Sequence, residues 1–83
     1  MKLAKYTKFR EEKFGGVLFE TRSEKVYSLN PTAAAVVREI GPGVDECGII
    51  ERLKVRFRDA DGAIEQEALT FLAELRQKGL LED

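Results

Sequence analysis

The chain changes its rhythm once, at Asn30-Pro31, and that break decides what it can fold into. Before it, β-branched and aromatic residues come in short runs separated by turn formers. After it, apolar residues recur at three- and four-residue spacing. Asparagine is among the best helix N-caps, and proline is favoured at the first helical position, where its missing N–H costs nothing. Strands followed by helices make an α+β fold: a three-stranded antiparallel sheet and then three helices packed on one of its faces.

In the first half, Thr7 to Glu12 reads as a surface strand. Gly15-Gly16 supplies a turn, because glycine tolerates the positive φ that turns demand. Val17-Leu18-Phe19-Glu20 is the second strand, and Thr21-Arg22-Ser23-Glu24 links it to a third, Lys25-Val26-Tyr27-Ser28-Leu29. Connections this short imply antiparallel neighbours, giving a meander over about residues 7–29 that needs helices on one face.

The helices are expected over about 31–40, 45–57 and 61–78. Ala33, Val36, Val37 and Ile40 form the first apolar stripe, and Gly41-Pro42-Gly43 ends it. Asp45 caps the second helix, striped by Ile49, Ile50, Leu53 and Phe57. Asp59 or Asp61 opens the third, striped by Ile64, Ala68, Phe71, Leu72 and Leu75. Gly79 fits the left-handed position after a helix end, with Leu80 packing back on Leu75. All 83 residues form a single domain, 1–83.

A chain this short builds one modest core and no enclosed active site. It has no histidine, which removes the commonest general base and metal ligand together. Cys47 is the lone cysteine and reads as a buried or half-buried small residue; no internal disulfide can form. Glu11-Glu12 and Glu65/Glu67 have polar neighbours and read as solvated charge. No CxxC, HExxH or calcium-loop spacing occurs, so no metal, no cofactor and no catalytic residue is expected. The net charge of -1 and pI near 5.5 supply little of the phosphate-neutralising attraction that nucleic-acid binding needs. Neither a signal peptide nor a membrane span is visible, which makes a cytoplasmic location the expectation.

What remains is surface that binds. The third strand leads straight into a helix, leaving one side open, so Lys25, Val26, Tyr27, Ser28 and Leu29 offer backbone groups to an added strand. Leu69 lies about 60° beyond Leu72 at 100° per residue, with Ala73 one turn on and Gln66, Thr70 and Arg76 beside them. Each feature also has a plain structural reading: Leu69 widening the core stripe, Tyr27 an ordinary core aromatic, and an uncovered edge that serves nothing.

Residues 9–40 carry Gly15-Gly16, Leu18, then Tyr27-x-Leu29-Asn30 and an Ala-rich helix with Ala34, and the chain ends Phe71-Leu72-x-x-Leu75-x-x-x-Gly79-Leu80-Leu81. In that order and spacing the sequence resembles the PqqD family over nearly its whole length. Arg10-x-Glu12-x-Phe14-Gly15 is also similar to the related binding protein of mycofactocin assembly. The resemblance implies a winged-helix-like domain that binds the leader of a ribosomally made precursor peptide and presents it to a modifying enzyme, commonly a radical SAM protein. It further implies that the leader adds beside the third strand, against the third helix. Pyrroloquinoline quinone assembly is then one pathway among several.

Two other functions are compatible with the pattern. A winged-helix DNA-binding regulator would use the last helix, but Asp61, Glu65, Glu67 and Glu74 there outnumber Arg76 and Lys78. A self-associating scaffold would use the open edge between copies, making the chain an edge-paired or strand-exchanged dimer rather than a monomer.

Overall fold

The computed structural model describes residues 1–41, 43–57 and 62–82. Lys2–Leu3 (β1) precedes a meander of Thr7–Glu12 (β2), Gly15–Glu20 (β3) and Lys25–Leu29 (β4). Helices Pro31–Glu39 (α1), Glu46–Phe57 (α2) and Ala63–Gln77 (α3) follow, and Leu81–Glu82 (β5) returns to pair antiparallel with β1. The meander forms one antiparallel sheet in the order β2-β3-β4, as the sequence pattern predicts. The β1–β5 ribbon carries no local signal and was not anticipated.

Register decides which side chains meet the helices. Leu18 stands opposite Phe9 on one side and Tyr27 on the other, and Gly16 stands opposite Leu29. Strand alternation then puts Phe9, Leu18, Tyr27 and Leu29 on the helix-covered face, and Val17, Phe19 and Val26 on the other. Leu18 is fully buried and joins Val36, Ile49, Leu53, Leu72 and Leu80 in a single core. Burying each such side chain contributes about 1.5–3 kcal/mol.

Gly15-Gly16 is not the turn. Lys13 and Phe14 make it, and both glycines lie inside β3. Gly15 has φ +143, and a Cβ there would sit 2.2 Å from the Leu29 carbonyl oxygen. The requirement is a close approach of two backbones, which local turn chemistry does not express.

The helix ends follow the sequence closely. Asn30 Oδ1 accepts the Ala33 N–H at 2.8 Å with Pro31 at the first helical position, and Asp45 Oδ1 accepts the Gly48 N–H at 2.8 Å. At the end of α3, Gly79 (φ +75) donates to the Arg76 carbonyl at 3.1 Å and Leu80 to that of Leu75 at 2.9 Å. This is a complete Schellman ending, and it turns Leu80 into the core beside Leu75. Gly62 stands at the N-cap of α3 without a side-chain bond. Asp59 and Asp61, the expected openers, and Pro42 of the expected stop lie outside the described residues.

Two packing expectations are corrected. Cys47 is exposed, because 100° steps carry it to the side of α2 away from Ile49, Ile50 and Leu53. Phe57, expected in that stripe, is 37% exposed at the helix end. No helix among the described residues is long and apolar enough to cross a membrane.

Candidate functional site

β4 is the last strand in the sheet order, and among the described residues no strand lies on its outer side. Its backbone groups on that side are a template for another strand. Beside this edge, β4 and the C-terminal half of α3 enclose a cleft of about 240 Å³. Leu18, Leu29, Leu75 and Leu80 make its apolar floor. Tyr27 stands on the strand side, and Phe71, Glu74 and Lys78 on the helix side. The Lys78 ammonium lies 5.9 Å from the centroid of the Tyr27 ring, across the cleft.

Phe71 and Glu74 also border a second, larger hollow of about 480 Å³, between the start of α1 and α3. Ala33, Val36 and Phe71 supply its apolar surfaces, with Gln66, Glu67 and Thr70 at its rim. The two hollows meet at Phe71 and Glu74 and are together called the trough; the smaller one borders the open edge.

The structure divides the residues expected to bind. Lys25, Val26, Tyr27, Ser28 and Leu29 all lie on the edge strand. Of these, Tyr27 faces the trough half-buried, Leu29 is buried in its floor, and alternation carries the Val26 side chain, 56% exposed, to the uncovered face of the sheet. Gln66 and Thr70 border the larger hollow. Leu69, Ala73 and Arg76 line neither hollow. Leu69 packs half-buried against the core, and Arg76 Nη1 bonds Glu46 Oε1 of α2 at 3.0 Å. The trough side instead presents Glu67, Phe71, Glu74 and Lys78, which the sequence reading did not select. Their spacing of four, three and four residues is a visible helical stripe. What the sequence lacks is which flank of α3 turns toward β4.

Away from the trough, the Glu20 carboxyl is held below its ordinary value by the Ser23 hydroxyl and the Arg22 N–H, and so stays ionised to close the β3–β4 turn. No group of three or more His, Cys, Asp or Glu among the described residues is placed to hold a metal ion.

Residues 15–81 match the family model described as Coenzyme PQQ synthesis protein D (PqqD). The chain belongs to the PqqD family. The matched stretch of this PqqD-family chain takes in β3, β4 and all three helices, hence every wall of the trough. Among solved structures it is similar to lasso peptide synthetase B1 complexed with the leader peptide, with a TM-score of 0.79 at 21% identity over 99% of this chain and 96% of that one. It is also similar to TbiB1 in complex with the TbiA(beta) leader peptide, with a TM-score of 0.82 at 18% identity over 99% and 95%. At such identities the likeness is one of fold. No curated protein gives a significant match.

Proposed function

We propose that this PqqD-family chain captures the leader of a ribosomally made precursor peptide as an added strand on β4 and presents it to a modifying enzyme, a radical SAM protein. The observation that carries the reading is the outer edge of β4, unpaired among the described residues, beside an apolar-floored trough. Backbone hydrogen bonds along Lys25 to Leu29 supply affinity, and Tyr27, Gln66, Thr70, Phe71, Glu74 and Lys78 read alternate side chains of the guest. Arg76 is paired with Glu46 of α2 and Leu69 packs against the core, so the reading leans less on these two and on Ala73. The two similar structures, each described as a complex with a leader peptide, support the same reading. The chain itself carries no reaction in this account. Its guest is the precursor of pyrroloquinoline quinone or of another modified peptide.

Capture followed by hand-over calls for micromolar or tighter binding, about −8 kcal/mol or better. The test is calorimetry with the precursor encoded nearby, with and without the radical SAM enzyme, together with amide shifts of the ¹⁵N-labelled chain. Micromolar binding that moves the amides of β4 and of the Phe71–Lys78 stripe is expected. No heat in either arm would refute the proposal. Salt-dependent retardation of duplex DNA would favour the regulator instead, against the acidic balance of α3. A dimer that persists when peptide is added would favour the scaffold.

A further inference from the structure

The trough also carries a charge pattern, and from it we infer the chemistry of the guest: the larger hollow takes a lysine or arginine side chain, two or four residues from a large apolar side chain seated in the Tyr27 cleft. This inference rests on the strand-capture reading above and specifies what that site selects.

Ion pairing within the chain supplies the first argument. Glu11, Glu12, Glu20, Glu39, Glu46, Glu65 and Glu82 each have a Lys or Arg nitrogen within 4.0 Å. Glu24, Glu51, Glu67 and Glu74 have no such partner among the described residues, and of these four Glu67 and Glu74 border the same hollow. Lys78 lies one helical turn beyond Glu74, where it could have paired, yet its ammonium is over the Tyr27 ring instead. The trough therefore keeps two uncompensated carboxylates, Glu67 in the larger hollow and Glu74 where it meets the cleft, with the Lys78 ammonium beyond them.

The lining of the hollow supplies the second argument. Ala33, Val36 and Phe71 make an apolar surface, and the carboxylates stand at its border. A side chain matching both parts needs a long aliphatic stem and a cationic head, which describes lysine and arginine. The first turn of α1 opens on the same hollow and contributes a partial positive charge of about +0.5. The Asn30 side chain already occupies its Ala33 N–H, and two full negative charges outweigh the remainder.

Spacing sets the pattern along the guest. The helix residues lining the two hollows are centred about six residues apart on α3, or about 9 Å at 1.5 Å per residue. Side chains on one face of a strand recur at about 7 and 13 Å, two and four residues on. The separation reckoned along α3 lies between these values, which puts the cation at one of those two positions from the apolar anchor.

The test pans a displayed library of random peptides, about twelve residues long to span a strand and its flanks, against the full chain and against the Glu67→Lys/Glu74→Lys double variant. Both positions are exposed, and far-UV circular dichroism checks that the variant folds. Peptides selected by the wild type should carry Lys or Arg at the stated positions and bind the double variant about tenfold more weakly. Peptides selected by the variant should carry Asp or Glu there. Binders that move the β4 amides but show no charge preference, or that bind both proteins equally, overturn this inference and leave strand capture standing. Binders that leave β4 unmoved, or a library yielding none, overturn both.

Discussion

Replacing Gly15 with alanine should remove a large share of the domain's stability through a single methyl group. The added Cβ would lie 2.2 Å from the Leu29 carbonyl oxygen and 2.6 and 2.8 Å from the Asn30 carbonyl carbon and oxygen, where real Cβ atoms essentially never come within 3.0 Å. The obstacle is backbone on both sides, so no side chain can swing away. Leu29 and Asn30 must move by at least about 0.8 Å. That movement reaches α1, because the Asn30 carbonyl accepts the Ala34 N–H at 2.9 Å and its side chain accepts the Ala33 N–H at 2.8 Å. Holding a non-glycine residue at φ +143 costs about 1–3 kcal/mol, and weakening the cap about 1 more. A loss of about 3 kcal/mol follows, out of roughly 4–12 kcal/mol for a domain of this length. Urea denaturation followed by circular dichroism reads it directly. With a slope of about 1 kcal/mol per molar, the midpoint falls by about 3 M. Gly41→Ala is the control, since its Cβ would meet nothing within 4 Å. A Gly15→Ala variant within about 0.5 kcal/mol of wild type would refute the close-approach account.

Three further outcomes are expected. Asn30→Ala removes the side-chain cap of α1 and should lower stability by about 1 kcal/mol in the same denaturation assay. Glu20→Gln should lower the midpoint at neutral pH. A carboxyl whose folded pKa is depressed contributes stability above its unfolded pKa and loses it as pH falls through the folded value, so the difference from wild type should vanish in acid and persist at pH 7. Tyr27→Leu keeps apolar bulk in the cleft while removing the ring that Lys78 overlies. It should cost under about 1.5 kcal/mol of stability yet weaken leader binding about tenfold by calorimetry. Unchanged affinity would place the guest elsewhere.

Most elements were legible because their signals are local. The meander shows in its alternation, α1 in Asn30-Pro31, and the end of α3 in Gly79-Leu80, where the expected packing on Leu75 is present. The misreadings share a different cause. Gly15 answers to a backbone fourteen residues away and Gly16 to the Phe9 ring across the sheet, rather than to a turn of their own, and Cys47 follows the rotation of α2 rather than the habit of its residue type. For α3, helical spacing separates two flanks clearly, Leu69–Ala73–Arg76 and Glu67–Phe71–Glu74–Lys78. Only tertiary packing brings Phe71, Glu74 and Lys78 to β4 and Arg76 to α2. The open edge of β4 was legible from the order of elements; the charges beside it were not.

The pairing of Lys2 with Glu82 and Leu3 with Leu81 sets residues 2 and 82 side by side. A linker of about four or five residues would join those two positions, and the Lys13-Phe14 turn offers an exposed place to open the chain. Such a circularly permuted molecule would keep both walls of the trough, and it would make the entry and exit of the chain a matter of choice rather than of architecture.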